Sequence, residues 1–225
     1  MTPRHRLSPY LATWAFALAF GWIEAAVVVY LRAVILGAGA LQSTSELRIA
    51  LVTLPDSLVW IEVVREGCTM LLLAATAWLA GRRLADRFGA FLIAFGVWDL
   101  AFYAFLKVMI GWPDSLGTWD VLFLIPRPWL APVWAPCLIA AFFVASGSYL
   151  FWTPDRPRRY GWLDAGVLIA ANVIIIGAFL VESNALVEHR NPEQFAVWIY
   201  ALGLALGVGW FVHVERQWRP SSVNP

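Results

Sequence analysis

The chain has 225 residues, of which 61% are hydrophobic and 14% are charged, and its formal net charge is +1. Soluble domains are about half apolar and roughly a quarter charged, so this composition indicates a membrane protein and excludes a soluble one. The near-zero net charge also argues against a nucleic-acid-binding protein, which would carry a basic patch or stripe. Cys68 and Cys137 both lie inside apolar runs and form neither a redox pair nor a disulfide framework.

Six apolar runs are long enough to cross a bilayer core of about 30 Å, which takes roughly 20 helical residues. Each is predicted to be a helix, because backbone groups in lipid must hydrogen-bond within their own segment. In chain order, the predicted spans are Tyr10–Leu36, Ser57–Ala80, Phe88–Ile110, Trp129–Phe151, Trp162–Val181 and Phe195–Val214. The sequence therefore predicts an all-α fold with six transmembrane helices in a single transmembrane domain, residues 1–225.

The basic residues are distributed unevenly between the two sides of this arrangement. With the N-terminus inside, ten of the sixteen fall on the cytoplasmic side: Arg4, Arg6, Arg82, Arg83, Arg87, Arg156, Arg158, Arg159, Arg216 and Arg219. Cytoplasmic segments of membrane proteins carry an excess of arginine and lysine. We therefore predict a multi-pass protein of the bacterial inner membrane with a cytoplasmic N-terminus and a cytoplasmic C-terminus.

Two of the predicted outer segments have a pattern of their own. Ser43 to Glu46 matches a capping box, and the apolar residues from Leu47 to Leu54 follow at helical spacing. This pattern predicts a short amphipathic helix on the outer membrane surface. The second segment, Gly111 to Pro128, contains the apolar run Val121–Ile125. This run is too short to span, so we expect it to lie at the interface or to enter the bilayer as a re-entrant segment.

Three acidic residues from three predicted spans fall at a similar depth near the bilayer midplane: Glu24, Glu66 and Asp99. A charged side chain at the centre of a span costs about 2.5–3.5 kcal/mol on insertion scales and nearly always faces the bundle interior or water. We therefore predict a polar pocket among spans one, two and three that opens to the periplasmic side. Glu66, Asp99 and Glu24 are its candidate catalytic residues.

Further polar residues lie on the outer side of these acids and are candidate substrate-binding residues. Several are placed by helical spacing from the acids, and others come from the hydrophobic outer loop. The set is Glu62, Arg65, Tyr103, Lys107, Arg32, Asp120 and Arg127. The structural alternative is that Glu62, Arg65 and Glu66 form an ion pair network that holds helices together.

A carboxyl group in a mostly apolar site suits a general acid or base, and a neighbouring arginine can bind a substrate carboxylate or phosphate. We therefore expect a small membrane-embedded enzyme or binding protein for a polar or lipid-derived substrate. The alternatives are a carrier or channel for a small polar or ionic solute and an accessory structural subunit of a membrane complex. Membrane lipid is the expected partner, and a homo-oligomer or a membrane complex is left open. No metal site is predicted and no cofactor is assigned.

Overall fold

The computed structural model describes residues 3–36, 56–153, 161–188, 190 and 192–216. Within these ranges the chain forms six long helices, one short helix and a two-stranded hairpin. The elements in chain order are α1 Pro3–Leu36, α2 Asp56–Ala80, α3 Leu84–Ile110, β1 Trp119–Val121, β2 Leu130–Pro132, α4 Trp134–Trp152, α5 Trp162–Leu180, α6 Asn184–Val187 and α7 Val197–Arg216. The helical prediction is confirmed apart from the hairpin, and the predicted amphipathic helix lies outside the described residues.

Five helices are long and apolar enough to cross a membrane, namely α1, α3, α4, α5 and α7. This confirms a multi-pass helical architecture. The remaining long helix, α2, has 25 residues and so extends about 37 Å at 1.5 Å per residue. It is not among the five, and it carries Glu62, Arg65 and Glu66. A sixth crossing, by α2, stays a prediction.

The fourth predicted span begins too early. It was expected from Trp129, but Leu130–Pro132 is a β-strand and the helix begins at Trp134. The residue before a proline avoids helical backbone angles, and proline has no N–H to donate within a helix. Pro132 therefore favours the extended conformation observed at Ala131, and the helix starts only after it.

The two strands form an antiparallel hairpin at one end of the helices, which we call the hairpin end. Its register is Trp119 opposite Pro132, Asp120 opposite Ala131 and Val121 opposite Leu130. The pairing continues toward the turn, where the N–H of Leu122 donates to the carbonyl of Trp129 at 2.8 Å. The expectation of an interfacial or re-entrant segment at 121–125 missed this pairing, which satisfies backbone groups that an isolated segment would leave open.

Helix α3 lies at the centre of the bundle and packs against α1, α2 and α4. Its contact with α4 is close enough to require glycine. A Cβ added to Gly96 would lie 2.5 Å from the carbonyl oxygen of Ala140, and one added to Gly147 would lie 2.6 Å from that of Gly89. Small residues let helix backbones approach each other in membrane proteins, so these glycines set the spacing of α3 and α4.

Helices α5 and α7 form a pair that contacts the other helices through the hairpin and directly at α4. Ala178 and Phe179 of α5 cluster with Tyr200 of α7 and with Ala131 of β2. The hydroxyl of Tyr200 also donates to the carbonyl of Ala135 in α4, at 2.7 Å. The hairpin is therefore packed between the two groups of helices and has a fixed position relative to both.

The start of α1 and the end of α7 both lie at the opposite end of the bundle from the hairpin. Arg6 of α1 donates to the carbonyl of Phe151 and pairs with Asp86 at the start of α3. The ring of Phe211 in α7 lies 5.9 Å from that of Tyr149, near the end of α4. The N-terminal end of α1 and the C-terminal end of α7 therefore lie on the same side of the bundle, away from the hairpin end.

Candidate functional site

Arg65 of α2 holds two glutamates. Its Nε and Nη2 atoms donate to the two carboxylate oxygens of Glu62, with Nε 2.9 Å from Oε2. Its Nη1 atom pairs with the carboxylate of Glu24 on α1. Thr69 donates a further hydrogen bond to Oε1 of Glu24, at 3.2 Å. Steps of three and four residues place Glu62, Arg65 and Thr69 on one face of α2, and this face is fastened to the middle of α1.

Glu66 is bonded to the hairpin. Both of its carboxylate oxygens accept the backbone N–H of Leu124, at 3.0 Å for Oε1 and 3.1 Å for Oε2. Leu124 lies in the turn that follows β1. Glu66 is itself buried, and a buried hydrogen bond is costly to break. The side chain therefore anchors the turn of the hairpin to α2.

Asp99, Tyr103 and Asp120 form a second polar group, between α3 and the hairpin. The hydroxyl of Tyr103 donates to Oδ2 of Asp120 at 2.8 Å. Asp99 precedes Tyr103 by one helical turn and lies close enough to Asp120 for the two carboxylates to repel each other. Among the described residues no side chain donates a hydrogen bond to Asp99. Cys137 of α4 lies near both acids.

Asp120 is almost fully buried, although it sits on a strand and not in one of the spanning helices. Burial raises the pKa of its carboxyl group to about 6, because an ionised carboxylate loses its hydration there. The hydrogen bonds from Tyr103 and from the N–H of Val121, together with the charge of Arg32, oppose this rise. A carboxyl group with a pKa in this range can both give and take a proton near neutral pH.

Arg32 lies near the end of α1 and is 2% exposed. The central carbon of its guanidinium group is 4.6 Å from the centroid of the Trp112 ring, which is a cation–π contact. Its Nε and Nη2 atoms are buried and have no hydrogen-bond partner among the described residues. Asp120 attracts the guanidinium electrostatically, but the two do not form an ion pair within the described part of the chain.

The two remaining predicted cations lie at the margin of the site. Lys107 is exposed, and its Nζ atom donates to the carbonyls of Gly111 and Pro113 at 2.9 and 2.8 Å. These contacts hold the end of α3, where Gly111 has the left-handed φ of 74° that ends many helices. Arg127 is exposed in the turn between β1 and β2.

The structure thus distributes the predicted residues over neighbouring contacts at the hairpin end. Glu24 binds Arg65, Glu66 binds the hairpin, and Asp99 lies near Asp120. Thr69, Trp112 and the N–H of Leu124 contribute contacts that were not predicted. The contact of Thr69 could have been predicted from its helical spacing from Glu62 and Arg65. The contacts of Trp112 and of the Leu124 N–H could not, because only the folded chain brings them to Arg32 and Glu66.

In comparisons with protein-family models, curated proteins and solved structures, nothing matches this chain. Within the described ranges, no group of three or more histidine, cysteine, aspartate or glutamate residues is arranged to hold a metal ion. The function of the chain has therefore to be inferred from the chemistry of its own side chains.

Proposed function

We propose that this protein is a six-span inner-membrane protein with a periplasmic hairpin end, and that it is a small membrane-embedded enzyme or binding protein for a polar, lipid-derived substrate. The polar site among α1, α2, α3 and the hairpin takes the substrate head group. Asp99 and Asp120 exchange protons with it, Tyr103 positions Asp120, and Arg32 supplies positive charge.

The observation that carries this proposal is the pair of carboxyl groups on Asp99 and Asp120. They lie near each other, and the only hydrogen bond from a described side chain to either is the one from Tyr103. Buried charges that serve stability are usually paired with an opposite charge, because desolvation is otherwise uncompensated. Two neighbouring acids that together receive one side-chain hydrogen bond contribute little to stability, but they can transfer protons.

The group around Arg65 differs in this respect. Its guanidinium is shared by Glu24 and Glu62, and Thr69 completes the hydrogen bonding of Glu24. An arrangement of opposite charges with satisfied donors fits a structural role, which is to fasten α1 to α2. We therefore assign the chemical role to the acids of α3 and the hairpin, and the framework role to Glu24, Glu62 and Arg65.

The test uses the full chain, purified in detergent and reconstituted with a bacterial polar lipid extract. Mass spectrometry records which lipids are retained by the protein and which are consumed. The variants Asp99→Asn and Asp120→Asn remove a charge with little change in shape. Glu188→Gln is the matched control, because Glu188 is an exposed acid that pairs with Arg190 beyond α5.

An enzyme consumes a lipid in the wild type and in Glu188→Gln but not in the two aspartate variants. A binding protein retains a lipid unchanged, and the aspartate variants release it. If Asp99→Asn and Asp120→Asn fold, and retain and consume the same lipids as the wild type, the proposal fails. If they abolish solute flux in proteoliposomes without any effect on lipids, the protein is a carrier. If the two aspartate variants only lower the midpoint of thermal unfolding, the acids stabilise the fold and the protein is an accessory structural subunit.

A further inference from the structure

The three cations closest to the site differ in how their donors are used. Arg65 is occupied by Glu24 and Glu62. Lys107 is exposed and occupied by two backbone carbonyls. Arg32 is buried, and two of its donors face no acceptor among the described residues. A buried donor without an acceptor is costly, and more so when it is charged. Of the three, Arg32 is therefore the one with donors that the described residues leave open.

The two donor atoms of Arg32 that lack an acceptor among the described residues limit which ligand can bind there. Nε and Nη2 lie along the same edge of the guanidinium plane, so their N–H groups point in nearly the same direction. This edge matches two oxygens of one carboxylate or phosphate group, which it binds through two parallel hydrogen bonds. The same protein contains a filled example, since Nε and Nη2 of Arg65 donate to the two oxygens of Glu62.

The contacts around the rest of the guanidinium keep this edge in place. Trp112 stacks on its face at 4.6 Å, and the indole ring is itself 2% exposed. Stacking holds the plane of the group without using any of its N–H donors. The guanidinium is thus oriented before a ligand arrives, and less conformational entropy is lost on binding than for a free side chain.

We infer that the Nε–Nη2 edge of Arg32, stacked on Trp112 beside Asp120, binds an oxyanion, either a phosphate or a carboxylate group. The inference rests on the proposed function, since it names the head-group chemistry of the substrate at the same site. The oxyanion comes from a lipid head group or from a soluble ion, and these two sources are separated by experiment. Asp99 and Asp120 then act on atoms next to the oxyanion.

The experiment is a titration of the purified full chain in neutral detergent. The probes are inorganic phosphate, octanoate, dioctanoyl phosphatidic acid and, as a lipid without an oxyanion, dioctanoylglycerol. Binding is followed by the change in tryptophan emission and by the shift in the midpoint of thermal unfolding. Phosphatidic acid or octanoate binding without inorganic phosphate binding identifies a lipid source, and inorganic phosphate binding identifies a soluble one.

Arg32→Gln is expected to weaken binding of the active probe by about tenfold or more, because two charge-assisted hydrogen bonds are lost. Arg32→Lys retains the charge but not the paired donors, so its affinity is expected to lie between those of Arg32→Gln and the wild type. Arg190→Gln is the matched control, since it removes a cation that is already paired with Glu182 and Glu188. Its affinity is expected to equal that of the wild type.

Three results overturn the inference. The first is that no oxyanion probe binds more tightly than dioctanoylglycerol. The second is that Arg32→Gln binds as well as Arg190→Gln. The third is that neither Arg32→Gln nor Arg32→Lys folds, which would show that the guanidinium group itself serves the fold. Lipid consumption that depends on Asp99 but not on Arg32 overturns this inference and leaves the proposed function standing. Oxyanion binding that depends on Arg32, together with lipid consumption that needs neither aspartate, supports it and removes the proton-transfer role.

Discussion

Replacing Arg65 with glutamine tests whether the Glu24–Arg65–Glu62 group is the framework that joins α1 to α2. The change leaves two glutamates without their cation, and Glu24 is 6% exposed. Removing one partner of a buried ion pair typically destabilises by about 3–5 kcal/mol. Because Arg65 is itself partly exposed, we expect a loss of about 2–4 kcal/mol at pH 7.

The assay is reversible unfolding in mixed micelles, followed by tryptophan fluorescence at pH 7.5. The double variant Glu24→Gln with Arg65→Gln should recover part of the stability, since one of the two stranded charges is gone. Arg190→Gln, at an exposed ion pair, should leave stability close to that of the wild type. An Arg65→Gln variant as stable as the wild type at pH 7.5 would refute the framework role.

Three further changes test other parts of the structure. Glu66→Ala removes the acceptor of the Leu124 N–H, so hydrogen exchange at residues 119–130 should speed up by about tenfold, and unchanged exchange would show that the turn does not depend on Glu66. Gly96→Ala places a Cβ 2.5 Å from a backbone oxygen and should lower the free energy of unfolding by about 1–3 kcal/mol. Gly67→Ala, with open space around it, should raise it by up to about 1 kcal/mol. Equal thermal midpoints for the two variants would contradict the close packing of α3 and α4. The pKa of Asp120 is raised to about 6 in the folded state, so the folded protein binds more protons than the unfolded chain between roughly pH 4 and 6, and stability should fall as pH rises through that window, by about 3 kcal/mol. Asp120→Asn should lack that fall, and an identical pH dependence in the two proteins would disprove the assignment.

The helical architecture could be predicted because long apolar runs have few other conformations in lipid. Five of the predicted spans correspond to helices that are long and apolar enough to cross a membrane. The boundary of the fourth was wrong because the strand at Leu130 depends on pairing with Val121, which lies in a segment that looked too short and too apolar to be anything but membrane-bound. Hydropathy measures how a segment partitions into lipid and carries no information on which segment will pair with it.

The candidate site was predictable in its residues and not in its contacts. Depth along a span follows from counting residues, so Glu24, Glu66 and Asp99 could be assigned to one level. Which side chain meets which depends on the rotation of each helix about its axis. That rotation is decided by packing, for example by the close approach of α1 to α3 at Gly21, and in the folded chain Glu24 meets Arg65.

The sequence by itself determined that this is a helical membrane protein and that the charged residues inside its predicted spans are concentrated in the first three. It could do so because the energy of placing each residue type in lipid is a property of that residue and of its depth. Only the tertiary structure decided that Glu66 is anchored to the turn of a hairpin and that Arg32 stacks on Trp112 with one edge of its guanidinium open. Hydrogen bonds and stacking depend on distances of a few ångströms between segments far apart in the chain, and those distances exist only once the helices have packed.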